Sequence, residues 1–264
     1  MQRRQFLAAS LATSAMALSR EGEAQSPATS AREYYQIRRY QLRTGPQINL
    51  TESYIGDALI PALSRMGMGP IGAFKAEIGT DTSAYYVLIP GGSPEALAQL
   101  SLKLAEDAVF MKTAEPFWSA PASAPAFERV ETSLLLAFEG WPKLTPPPAT
   151  ATKGKRIFQM RTYESPSERA HVRKVEMFNS GEFECFKAAG FHPVFFGDML
   201  IGSQMPCLTY MLSLSSMDEY NARWDAFRNH PDWLKLKANP RYAYEPIVSN
   251  ITNLILSPLA SSQI

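Results

Sequence analysis

Polar and apolar residues alternate through Tyr35-Gln36-Ile37-Arg38-Arg39-Tyr40 and again through Phe158-Gln159-Met160-Arg161-Thr162-Tyr163. Gln, Arg and Tyr recur at alternate positions in both strings, and 159−36, 161−38 and 163−40 each give 123. Alternate residues of an extended strand share a face. Each string therefore predicts a strand with a Gln/Arg/Tyr face backed by an apolar one, formed by Tyr35 and Ile37 in the first and by Phe158 and Met160 in the second.

The same offset pairs Gly67 with Gly190, Pro70 with Pro193, Gly79 with Gly202 and Ser93 with Ser216, so the chain reads as two copies of one unit. Farther on, Glu115-Pro116-Phe117-Trp118 resembles His230-Pro231-Asp232-Trp233 at an offset of 115 (233−118), which places an eight-residue excess in copy one between Leu97 and Trp118.

In copy one the pattern predicts a strand at 34–43, a helix at 50–66 capped by Asn49 or Thr51 and kinked by Pro61, a hairpin of 71–78 with 85–89, a helix beginning after Ser93, and a strand at 130–138. Copy two repeats the order with strands at 156–163, 193–202, 207–214 and 247–256 and helices at 167–189 and 216–228. Pro142 to Lys155, with three consecutive prolines, reads as a semi-rigid linker. Each copy is thus a ferredoxin-like βαββαβ unit with both helices on one sheet face. The other face needs cover. Two copies in one chain meet that need by pressing their sheets together, an α+β architecture in which the Gln/Arg/Tyr faces point inward.

Composition adds two constraints. A chain of 264 residues with 45% hydrophobic and 11% aromatic content can build a full core and has room for two domains, at 34–141 and 156–258. Its formal charge of +1 is carried by the N-terminal segment, where Arg3, Arg4 and Arg20 stand against Glu21 and Glu23; the remainder is neutral and no basic run suggests nucleic acid as a partner. That segment, residues 1–24, has the layout of a twin-arginine export signal with an apolar run from Ala8 to Leu18 too short to span a membrane and cleavage expected after Ala24. A periplasmic or secreted product is expected. Cys185 and Cys207 fall at distant places in the predicted unit, which makes them free, buried thiols and not a disulfide.

The strings at 35–40 and 159–163, the His230-Pro231-Asp232-Trp233 turn and the closing Ile255-Leu256-Ser257-Pro258 resemble the NIPSNAP family, as two tandem domains. Copy one departs from the family pattern at Ala114-Glu115-Pro116-Phe117-Trp118. The resemblance implies the dimeric α/β-barrel fold of a superfamily that includes cofactor-free monooxygenases and haem proteins. It supplies no catalytic residues, so the catalytic set is unknown from sequence.

Candidate ligand-binding or inter-sheet polar residues are Gln36, Arg38, Tyr40, Gln159, Arg161 and Tyr163. A guanidinium offers a planar fork of donors to an anionic or carbonyl-bearing molecule; alternatively these groups satisfy one another where the sheets meet. His171, His192 and His230 cannot share one ion, so no metal site is expected, and His230-Pro231-Asp232 reads as a turn that buries Trp233. No nucleophile elbow, phosphate loop or Cys-x-x-Cys pair is present, and no cofactor is implied. Two readings follow: a binder of a small apolar or aromatic molecule with oxygenase-like chemistry, or a non-catalytic interaction module. A homodimer of the whole chain is compatible with either.

Overall fold

Eight segments pair into one antiparallel sheet that closes on itself in the computed structural model, which describes residues 31–43, 45–79 and 83–264. The segment expected to direct export, residues 1–24, lies outside the described residues. Copy one supplies β1 (Tyr34–Gln41), β2 (Gly72–Ile78), β3 (Ala84–Gly91) and β4 (Arg129–Ala137), and copy two supplies β5 (Ile157–Glu164), β6 (His192–Ile201), β7 (Cys207–Leu214) and β8 (Asn250–Pro258). Around the barrel the order is β1-β3-β2-β8-β5-β7-β6-β4. In each copy the first strand lies between the third and the fourth, as in a ferredoxin-like unit. The copies join edge to edge at two seams, β2 with β8 and β4 with β6.

Helices cover the outside. Copy one carries α1 (Gly45–Ser53), a π-helical segment (Tyr54–Leu59) and α2 (Ile60–Arg65) in succession, then α3 (Pro94–Ala98), α4 (Leu100–Glu106) and α5 (Ala108–Trp118). Copy two matches it with α6 (Glu168–Met177), a π-helical segment (Phe178–Glu182) and α7 (Phe183–Ala188), followed by α8 (Met217–Arg228), α9 (Pro231–Lys237) and α10 (Tyr244–Ile247). Ser93 and Ser216 cap equivalent helices, their hydroxyls accepting from the Ala96 and Glu219 amides. The first helix starts at Gly45, ahead of the expected caps, and its irregularity is the π segment preceding Pro61.

The register of the repeat also differs from expectation. Asp107 and His230 are both N-caps, of α5 and α9, and 230−107 is again 123. The last strands begin at Arg129 and Asn250, an offset of 121. There is no eight-residue excess. Pro116 sits inside α5, whereas Pro231 opens α9, so the Pro-x-Trp likeness joins positions that are not equivalent.

The larger correction concerns the two faces of the sheet. The barrel interior is filled by the apolar alternates, including Tyr35, Ile37, Phe74, Leu135, Phe158, Met160, Phe195 and Leu256. Gln36, Arg38, Tyr40, Gln159, Arg161 and Tyr163 therefore point outward, beneath the helices. A closed eight-stranded barrel has an interior just wide enough for side chains to fill; apolar alternates fill it, and the charged Arg39 and Glu131 of the same face pair at 2.8 Å where a cavity opens from it. The linker packs over one barrel end: Leu144 joins the interior cluster, its amide donates to Glu33 Oε2 at 2.8 Å, and the Thr145 amide donates to the Val194 carbonyl at 2.8 Å. Both cysteines are free and buried, as expected.

Phe158 and Phe74 come from different copies and meet with ring centroids 4.8 Å apart. Because the interior belongs to both copies, Phe158→Ala is expected to lower stability by about 3–5 kcal/mol. Urea denaturation followed by fluorescence should show one transition moved to lower denaturant; two separate transitions would contradict the shared core.

Candidate functional site

The six polar strand residues occupy equivalent places in the two copies but meet different surroundings. In copy one, Gln36 Nε2 donates to the Leu97 carbonyl at 2.8 Å, and Arg38 donates to Gln36 Oε1 at 2.6 Å and to Ser101 Oγ at 3.4 Å. Tyr40 packs against Tyr54, Phe117 and Phe127, with Tyr54 stacked on Phe117 at 3.9 Å. This half has a sealed aromatic core.

In copy two, Gln159 Oε1 is taken by Trp224 Nε1 at 2.8 Å, while its amide donates to Asn253 Oδ1 at 2.6 Å. The acceptor that holds Arg38 is thus unavailable to Arg161. Among the described residues Arg161 Nε is buried without a hydrogen-bond partner, and its guanidinium lies over the rings of Trp224 and Tyr163, 4.5 and 5.0 Å from their centroids. Tyr163 and Tyr210 share a hydrogen bond of 3.0 Å. Burial pushes both phenols above their ordinary range, so they remain protonated at neutral pH.

Beside Tyr163 lies a pair that sequence reading missed. Lys174 Nζ donates to Glu182 Oε2 at 2.8 Å with the two residues only 3% and 1% exposed. The ammonium also faces the rings of Phe178, Tyr163 and Trp233 at 4.6, 5.2 and 6.0 Å. Burial lowers the Lys174 pKa, with Glu182 opposing, and raises that of Glu182, with Lys174 and Arg161 opposing. Eight residues of straight α-helix rise about 12 Å; here the π segment and Gly181, at φ 137°, bend the chain between the partners. At the offset of 123 the equivalents of Lys174, Gly181 and Glu182 are Thr51, Ala58 and Leu59. Copy one therefore keeps the π segment without the charges.

Lys174 also lines a cavity of about 350 Å³ in the helical layer, together with Met177, Trp233, Tyr242, Tyr244, Ile247, Arg228 and Lys237. Arg228 and Lys237 are exposed at this site, and Trp233 is half-buried, packed on Phe227 at 4.7 Å and not sealed in the core as expected. His230 caps α9, its Nδ1 accepting from the Asp232 amide. A second cavity, about 280 Å³, opens into the barrel near Arg39, Glu131, Thr162 and Thr209. The only buried ion pair among the described residues lies at the first cavity. His171, weighed from sequence only as a metal ligand, places Nε2 2.6 Å from Asp198 Oδ1, and the equivalents of this pair in copy one are Ile48 and Lys75. Among the described residues no group of three His, Cys, Asp or Glu side chains is arranged to hold a metal, and no helix is long and apolar enough to cross a membrane.

Two ferredoxin-like units closed into one barrel define the dimeric α/β-barrel class, realised here within a single chain. In its second half, residues 158–263 match the NIPSNAP family model. Three solved structures share the fold over nearly the whole described chain. A candidate monooxygenase of Fusobacterium nucleatum is 10% identical, with a TM-score of 0.55 over 87% of this chain and 94% of its own. One of Lactobacillus acidophilus is 9% identical, with a TM-score of 0.54 over 86% and 94%. An anthrone oxidase-like protein is 12% identical, with a TM-score of 0.51 over 87% and 92%. No curated protein sequence matches the chain.

The pair is a sensitive test of the site's purpose. Removing one partner strands a buried charge, so Glu182→Leu should cost about 3–5 kcal/mol, whereas Lys174→Thr with Glu182→Leu, the copy-one residues, should be neutral or stabilising by about 1–4 kcal/mol. In the single variant Lys174 keeps a pKa depressed below its unfolded value of about 10.4. A depressed group contributes stability above the unfolded pKa that is lost as pH falls through the folded pKa. Urea midpoints of Glu182→Leu should therefore rise, relative to the double variant, as pH is raised from 7 to 10.

Proposed function

We propose that the second copy is a binding site for a small aromatic anion, in an exported protein whose chemistry is oxygenase-like. The observation that carries this reading is the asymmetry between the copies: the Lys174–Glu182 pair, buried beside a cavity in copy two, is replaced by Thr51 and Leu59 in copy one. A buried ion pair is weak evidence of stabilisation, and copy one builds its own π-helical segment, Tyr54–Leu59, without one. Perturbed titratable groups beside a cavity are candidates for function. The aromatic walls, Trp233, Tyr242 and Tyr244, suit a planar ring, and Lys174, Arg228 and Lys237 supply positive charge.

Oxygenase-like chemistry rests on the fold shared with the two candidate monooxygenases and the anthrone oxidase-like protein. Fold alone does not fix a reaction. Within this reading the protonated Tyr163 and Tyr210 act as hydrogen-bond donors, and the Lys174–Glu182 pair accepts a proton from an acidic ring substituent. Export through the twin-arginine-type segment belongs to the same proposal. A mature N-terminus at Gln25, read by mass spectrometry of the protein recovered from an extracytoplasmic fraction of its native cell, supports it, and an intact N-terminus in protein confined to the cytoplasmic fraction contradicts it.

Calorimetric titration with benzoate and with simple phenolates tests the binding site. Saturable binding is expected, weakened at least tenfold by Trp233→Ala and by Lys237→Glu and unchanged by Arg129→Ala on the far copy. Equal affinity in all variants, or no saturable binding by any aromatic anion, overturns the reading. Oxygen uptake on adding an electron-rich phenolate, recorded with an electrode, then separates an oxygenase from a binder.

A further inference from the structure

We propose that Lys174 is a nucleophilic amine that captures an aromatic aldehyde or ketone as an imine, with Glu182 carrying the proton. This deepens the preceding reading, on which it rests for the location of the ligand, by naming a carbonyl as the group the cavity takes.

Position is the first support. Lys174 lines the cavity while the residue as a whole is only 3% exposed, which sets its side chain against the cavity and out of bulk water. The second is the partner. Glu182 Oε2 lies 2.8 Å from Nζ and is itself buried, a geometry in which the carboxylate can remove a proton from the ammonium and keep it close. The third is the surroundings: the rings of Phe178, Tyr163 and Trp233 make an apolar wall around the nitrogen, and burial lowers its pKa toward the neutral form that nucleophilic attack requires. The fourth is that this arrangement has no structural necessity, since Thr51 and Leu59 stand in its place in copy one.

The step balances without any added oxidant or reductant. Proton transfer from the ammonium to Glu182 leaves a neutral amine, whose lone pair forms a bond to the carbonyl carbon as the π pair moves to oxygen. The oxygen takes the proton back from Glu182, and the carboxylate so restored accepts the second proton from nitrogen as the carbinolamine forms. Glu182 then returns that proton to the hydroxyl group, which leaves as water as the nitrogen lone pair forms the carbon–nitrogen double bond. The ammonium and one carbonyl compound become one protonated imine and one water, with Glu182 again a carboxylate.

The test uses the full chain with benzaldehyde, cyanoborohydride to reduce any imine, and peptide mass spectrometry to locate the benzyl group. Labelling is expected at Lys174, saturable in benzaldehyde, at least tenfold faster than at the exposed Lys187 and Lys235, and suppressed by benzoate. Glu182→Gln should slow it at least tenfold. Lys174→Thr with Glu182→Leu, which copies the residues of the first half, should fold and show only the slow background. Labelling of Lys174 no faster than of Lys187 overturns the proposal. If benzoate still binds saturably in that case, the binding site stands and the imine alone is wrong; if neither labelling nor benzoate binding occurs, the site itself is wrong.

Discussion

Closure of the sheet governs everything else in this molecule. Once eight strands meet edge to edge, each strand has one face inside a barrel whose core apolar side chains fill, with Arg39 admitted only where a cavity opens and Glu131 pairs it, and one face outside that helices must cover. The interior is settled by shape and hydrophobicity. The buried charges lie in the layer between the outer face of the sheet and its helices, where Arg161, Tyr163, Tyr210, Lys174 and Glu182 are all found.

That layer is filled in two ways from one template. In copy one aromatic stacking closes it: Tyr54 and Phe117 lie parallel, and Arg38 is held by Gln36 and Ser101. In copy two Trp224 occupies the position of Ser101 and draws away the glutamine oxygen, leaving Arg161 among aromatic faces. A single exchange of hydrogen-bond partner thus changes the character of the neighbouring guanidinium. The lysine and glutamate then introduce charge where the other half has a hydroxyl and a leucine.

Much of the fold was legible in the chain because strand periodicity, the capping serines and the 123-residue offset are local signals. The strand at Cys207–Leu214 and the helix at Met217–Arg228 appear where the pattern put them. The orientation of the Gln/Arg/Tyr face was not legible, because an alternating strand states that its faces differ and says nothing of which one a distant copy will cover. The shorter offset at Trp118 failed because two Pro-x-Trp strings look alike whether the proline opens a helix or sits within one. Lys174 and Glu182 went unnoticed for a related reason: eight residues apart, they are not helical neighbours until the bend at Gly181 makes them so. A comparison of the copies position by position, at the established offset, would have exposed the exchange of Thr51 and Leu59 for charge.

The two seams, β2 with β8 and β4 with β6, join halves that are encoded in tandem. In a barrel made from two identical chains, any residue that weakens packing is present twice, and a site in one half is necessarily a site in the other. Tandem fusion lifts that requirement of symmetry. One half of this chain can serve as a well-packed scaffold, while the other carries an unfavourable buried charge a single time.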